Sequence, residues 1–356
     1  MTNPSIETPQ HAATQEIAGQ DVVLAYGDAA AEYDALRTGA IAIDRSHRGR
    51  MRFFGESSGA ALTGLVTSDV LALQPGHGQY GAALSAKGRI VADLRVFAGL
   101  GSYIVDTPAR AWPGFVAMVK KYVNPRTTGY RDDSHALRDI GVFGVDARRI
   151  VAEISGVPAA SLAELPRYGH VAVTIDGASV TVARVPDIGV EGFDLFVPFE
   201  QFDALWERVL ALGASPAGLA AWDIARVEAG RPEWGIDIDD TTIPQEANFD
   251  ELEAISYTKG CYIGQELVAR VHFRGHVNRH LRGLRSGEAL APPTGTQLFD
   301  GGGAHVGDVK SSLQSPRLGG VALGMVRREV TPGSTIIARW EGGERRVELS
   351  LLPFSD

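Results

Sequence analysis

The sequence predicts an α+β fold: two strand-and-helix domains in succession, then a small β-barrel at the C-terminus. Short helices are followed by strand pairs on tight turns, without the regular β–α alternation that a parallel sheet requires. The same grammar recurs after residue 136. From residue 276 onward the helical period stops, and short apolar runs alternate with glycine turns such as Gly301-Gly302-Gly303, Gly319-Gly320 and Pro332-Gly333. The boundaries that follow are a disordered polar tail over 1–20, a first α+β domain over 21–135, a second over 136–275 and the barrel over 276–356.

Taken in order, residues 29–38 have helical composition and 40–44 turn strand-like. Residues 51–55 form a strand, followed by a small-residue helix through Ala60, Ala61 and Leu65. Residues 80–84 and 89–97 are two strands, and the turn Ser85-Ala86-Lys87-Gly88 joins them in a hairpin pattern. A strand at 103–106 precedes a helix over 112–122, whose Phe115, Met118, Val119 and Tyr122 share one face. In the second half, strand-rich stretches at 136–143 and 171–185 bracket a helix over 146–154. A strand at 193–197 leads into a helix with the stripe Phe202, Leu205, Trp206, Val209 and Leu210. The helix over 217–229 ends at Gly230 and the pair Arg231-Pro232.

With 356 residues, 44% of them hydrophobic, the chain can bury two or three cores. A net charge of −9 does not favour broad binding to nucleic acid or a membrane surface. A single cysteine excludes an internal disulfide and a four-cysteine iron–sulfur site. Any handling of clusters would pass through another protein or a shared site. No apolar run approaches the roughly 20 residues of a membrane helix. The N-terminus lacks a basic region and an apolar core, so a cytoplasmic protein is expected. P-loop, dinucleotide and G-x-S-x-G patterns are absent.

The most distinctive stretch is Lys259-Gly260-Cys261-Tyr262-Ile263-Gly264-Gln265-Glu266. Leu267, Val268 and Val271 behind it suit one face of a short helix. A thiol near a helix N-terminus and a lysine is placed where the thiolate is favoured. The alternative is a buried, inert cysteine in a tight turn.

Together with Ile243-Pro244-Gln245-Glu246-Ala247-Asn248 before it and Phe273-Arg274-Gly275 after it, this string resembles the signature of the YgfZ-type folate-binding proteins. These are relatives of the glycine-cleavage T-protein (aminomethyltransferase) and include an iron–sulfur assembly factor. The resemblance implies a three-leaf cloverleaf around a central hole, tetrahydrofolate as cofactor, and a role in assembly or repair of iron–sulfur enzymes, with those clients as partners. On this reading Cys261 is the working thiol, with Lys259 and the helix N-terminus stabilising its charge and Gln265 and Glu266 shaping the loop.

Further candidates carry alternatives. Asp93 matches the second of two adjacent T-protein aspartates, one of which lies near the reacting folate nitrogen, while Ala92 stands at the first; it could serve as an acid–base group or be a solvated strand-edge charge. Tyr80 matches a pocket tyrosine or is plain core. Glu191 and Asp194 flank the place where the family grips the pteridine with a carboxylate, and Val190 occupies the leading position. Arg226 suits the glutamyl carboxylates of folate or a salt bridge elsewhere. Arg270, Arg274, Arg279, Arg282 and Arg285 form an acid-free patch for a polyglutamate tail, an acidic partner or RNA, although sparse aromatics argue against RNA. Folate-dependent aminomethyl- or methyl-transfer, or demethylation, is the enzymatic alternative.

Overall fold

The computed structural model describes residues 12–355. It opens on a hairpin of β1 (Ala13–Ile17) and β2 (Gln20–Ala25), turned at Ala18 and Gly19. Helix α1 (Ala29–Thr38) is capped by Asp28, whose carboxylate accepts from Ala30 N. After β3 (Ile41–Asp44), the strands β4 (Gly49–Phe54), β5 (Gly78–Leu84), β6 (Ile90–Ala98), β7 (Ser102–Thr107) and β8 (Gly129–Asp132) build an antiparallel sheet in the order β5-β6-β7-β4-β8. Two helices, α2 (Ser58–Leu65) and α3 (Trp112–Tyr122), bring Leu62, Leu65, Phe115 and Val119 into one core with Met51, Phe53, Leu94 and Val96. Strand β6 is buried everywhere except Val91, because both faces of the sheet are covered. That is why its sequence shows no clean in–out alternation.

The second sheet takes β9 (Leu137–Phe143), β10 (His170–Ile175), β11 (Ala178–Arg184), β12 (Gly192–Pro198) and the two-residue β13 (Ser215–Pro216), in the order β10-β11-β12-β9-β3-β13. Its outer core combines Ile150 and Ile154 of α4 (Ala147–Ser155), Leu162 of α5 (Ala159–Glu164), and Leu205, Trp206 and Val209 of α6 (Phe202–Ala211) with Ile140, Val142, Phe193 and Leu195. A third cluster joins the two sheets through Tyr33, Tyr80, Phe97, Phe143, Phe196, Trp222 and Phe249. Helix α7 (Leu219–Glu228) supplies Trp222 to it and α8 (Gln265–Arg274) supplies Val268. Then β14 (Arg279–Arg285), β15 (Gln297–Phe299), β16 (His305–Ser315), β17 (Gly319–Arg327), β18 (Thr335–Trp340) and β19 (Gly343–Ser350) close a six-stranded barrel. The result is two α+β domains and a C-terminal barrel.

Three expectations are redrawn. Residues 13–17 are strand β1, so the predicted tail over 1–20 does not reach that far; residues 1–11 lie outside the described residues. Strand β3 sits between β9 and β13 in the second sheet, so the first domain does not own all of 21–135. The cysteine stretch, assigned to the second domain, lies against the first: Ser256 N donates to Thr67 O and Ile263 N to Gly64 O. Both displacements are choices of non-local pairing, which local periodicity does not encode.

Candidate functional site

The cysteine loop and the β5–β6 hairpin turn are fitted backbone to backbone. Gly264 has φ 82°, and a Cβ there would stand 2.5 Å from Ser85 O; one on Gly88 would stand 2.8 Å from Leu267 Cβ. Only glycine permits both the left-handed turn and the close approach. Tyr262 N donates to Gln265 Oε1 across the loop at 3.1 Å, closing the last turn before α8. Glu266 is exposed in the first turn of α8, where the helix dipole favours an acid. Cys261 is a free, exposed thiol.

Lys259 points into the protein. Its Nζ donates to the carbonyls of Thr63, Val66 and Ser68, at and just beyond the C-terminal end of α2, and the ammonium lies 4.4 Å from the Tyr262 ring centroid. Burial pulls its pKa down to about 8. All three oxygens are acceptors, and the ammonium matches them with three donors.

A second group of chemistry-bearing residues lines a cavity between the sheets and α7. Asp93 on β6 accepts from Tyr80 Oη at 3.0 Å through Oδ2, while its Oδ1 has no hydrogen-bond partner among the described residues. Burial, and next the charge of Glu233, push the Asp93 carboxyl up to about 6, against the pull of Arg48 and Arg231. Burial beside Asp93 holds the Tyr80 hydroxyl well above its ordinary range. Arg231 crosses this space with its guanidinium carbon 3.6 Å from the Tyr80 ring centroid. Its Nη2 donates to Tyr168 Oη at 2.9 Å and lies 3.3 Å from Asp187 Oδ1. Burial opposes ionisation of Asp187, but Arg231 and Arg95 overcome it and hold the carboxyl at about 2. The free volume is small, about 20 Å³ around Tyr80, Asp93 and Arg231. A neighbouring lobe of about 40 Å³ shares Arg45, Arg48, Trp222 and Glu233 and reaches Gln15, Ile17 and Leu24 of the N-terminal hairpin.

The other candidates sit apart from that free space or are already engaged. Asp194 is fully buried and gripped by Arg45 Nη1 at 3.1 Å and Arg95 Nη1 at 2.6 Å. Glu191 accepts from Arg148 at 2.7 Å on the outer side of the second domain, beside a surface groove formed with α4. Arg226 lines the cavity, but its donors are engaged: Asp237 at 2.6 Å, Asp223 at 2.8 Å, Ser311 Oγ at 2.9 Å and Arg231 O at 3.0 Å. It ties α7 to the barrel. The arginine patch divides in the same way. Arg279 pairs with Glu246, Arg282 donates to Asn248 and Leu281 O, and Arg285 donates to Ser355 O, whereas Arg270 and Arg274 are exposed on α8.

Sequence reasoning missed Arg45, Arg48, Arg95, Asp187, Arg231 and Glu233. A signal existed for Arg95: a lone cation among Asp93-Leu94 and Val96-Phe97, on a strand apolar to both sides, has to be paired in the interior. Arg231 was visible only as part of a helix stop.

The GCVT N-terminal domain model matches residues 7–255, and the glycine cleavage T-protein C-terminal barrel domain matches 279–356. The chain belongs to the glycine-cleavage T-protein family. Within it, the chain is 30% identical to an aminomethyltransferase of Saccharopolyspora erythraea, over 99% of both chains. It is 33% identical to an aminomethyltransferase of Thermosynechococcus vestitus, over 86% of this chain and 82% of that one. The crystal structure of glycine cleavage system aminomethyltransferase T from Bartonella henselae superposes with a TM-score of 0.85 at 23% identity, covering 97% of this chain and 94% of that one. The T-protein fold is therefore shared from the first sheet through the barrel. Among the described residues, no helix is long and apolar enough to cross a membrane.

Proposed function

We propose that this T-protein-family chain binds tetrahydrofolate in the cavity between its sheets. The observation that carries the reading is Asp93: a buried carboxyl with one oxygen unpartnered, on a cavity wall beside Tyr80. An orphaned buried acceptor fits a ligand that presents N–H groups, and an aromatic wall fits its planar ring. Poised near 6, Asp93 can hold or release a proton at neutral pH, as acid–base work on an amine requires. Bound tetrahydrofolate would supply the one-carbon acceptor. Tyr80 orients the Asp93 carboxyl, and Gln15, Ile17 and Leu24 of the hairpin β1–β2 line the neighbouring lobe.

Two uses of the folate are separable. Folate-dependent aminomethyl or methyl transfer is supported by the name of the curated relatives and by Asp93. A YgfZ-type role, in which the protein serves cytoplasmic iron–sulfur enzymes, is supported by the exposure of Cys261 in its loop. It is further favoured by Ala92, which stands where a carboxylate is expected for transfer from glycine. An RNA role gains little, since three of the five arginines are tied into the protein.

Titration calorimetry with tetrahydrofolate on wild type, Asp93→Asn and Cys261→Ala tests the binding site. Binding weakened about tenfold or more by Asp93→Asn and untouched by Cys261→Ala is expected. No heat from any of the three would end the folate reading. Complementation of an iron–sulfur enzyme defect by Cys261→Ser at wild-type level would remove the thiol role and leave one-carbon transfer.

A further inference from the structure

We propose that Arg231 is a built-in occupant of the central cavity, stacked where a planar ligand would lie, and that its side chain must leave the Tyr80 ring before such a ligand enters. The inference rests on the folate reading and adds a residue that controls access to the same site.

Four observations support it. The guanidinium carbon sits 3.6 Å from the Tyr80 ring centroid, which is stacking distance for a flat cation on an aromatic face. Tyr80 is buried and also packs against Phe249, with centroids 5.2 Å apart, so the ring is held in place. Free space beside Tyr80 and Asp93 amounts to about 20 Å³, whereas small-molecule sites run to about 300–1,000 Å³. Asp93 Oδ1 nevertheless has no hydrogen-bond partner among the described residues, so the cavity wall holds a polar atom that the closed arrangement leaves unsatisfied.

The geometry also shows what would move. The backbone at Arg231 is fixed, because its N–H donates to Arg226 O at 2.9 Å and Gly230 is packed on Leu352. The side chain is tethered through Nη2, which makes both the bond to Tyr168 and the ion pair to Asp187. A rotation that clears the Tyr80 face has to break that tether, because the guanidinium carbon is bonded directly to Nη2. Rotation also withdraws a cation from Asp93, leaving the carboxyl more basic once the ligand is seated.

The test uses full-length wild type and Arg231→Ala, each titrated with tetrahydrofolate. Cavity access without ligand is read separately, by acrylamide quenching of the Trp222 contribution, taken against Trp222→Phe in each background. The expected result is affinity at least about tenfold tighter in Arg231→Ala, with stronger quenching of Trp222. Unchanged or weaker affinity in Arg231→Ala, with wild type binding, overturns the proposal and makes Arg231 a bystander or a ligand contact. Stronger quenching with no tetrahydrofolate binding by either protein sustains the occlusion and ends the folate reading instead. Unchanged quenching and no binding ends both. If Arg231→Ala does not fold, Tyr168→Phe removes one hold on the tether and is expected to move both readouts the same way; no movement in either overturns the proposal.

Discussion

Replacing Lys259 by methionine separates two roles that its place in the cysteine loop would otherwise blur. The side chain stem is kept and only the ammonium is lost. The structure gives that ammonium to Thr63, Val66 and Ser68, whose carbonyls terminate α2. A hydrogen bond to a charged group contributes about 1.5–3 kcal/mol, and a cation at a helix C-terminus about 0.3–1 kcal/mol. Lys259 is only partly buried, so water recovers part of the loss and the three bonds do not add. A net destabilisation of about 2–3 kcal/mol is expected. Denaturant unfolding, with amide exchange on α2 and residues 256–264, measures it. Cys261→Ser, at an exposed site, should stay within about 0.5 kcal/mol of wild type. Suppose Lys259→Met left stability unchanged and slowed alkylation of Cys261 by iodoacetamide. The ammonium would then serve the thiol, and the anchoring argument would be refuted.

Three further outcomes follow from the interior. The Asp93 carboxyl moves from an ordinary 3.8 to about 6 on folding, so the native state holds its proton more tightly and stability falls as pH rises from about 4 to 6. Asp93→Asn should therefore leave thermal stability unchanged near pH 4 and raise it at pH 7.5, by at most about 3 kcal/mol. Asp139 is fully buried, neither of its carboxylate oxygens is hydrogen-bonded among the described residues, and burial together with the Asp194 charge raises its pKa. Asp139→Asn should accordingly raise the unfolding temperature more at pH 8 than at pH 5; an equal shift at both would contradict a retained proton. Gly264→Ala places a Cβ 2.5 Å from Ser85 O at φ 82°, and should cost about 1–3 kcal/mol or more. A Cβ on Gly260 meets nothing within 4 Å among the described residues, so Gly260→Ala serves as the control in the same unfolding assay.

Periodicity and turn chemistry alone located most elements. The Ser85–Gly88 turn joins β5 and β6, the Phe202–Leu210 stripe is the core face of α6, and the glycine-punctuated tail is the closed barrel. The glycines around Cys261 were legible as tight-turn residues, and Gly264 proves to need its left-handed φ. Each of these is a local property, set by side chains a few residues apart. Tertiary structure decided the rest. It placed β3 in the second sheet, turned Lys259 toward α2, enclosed Asp93, engaged Arg226 with the barrel and laid Arg231 on Tyr80. Those outcomes depend on partners many residues away: Arg95 meets Asp194 across 99 positions and Lys259 meets Ser68 across 191. A sequence names which charges exist, but the cost of burying a charge unpaired is met only when the fold brings its partner within reach.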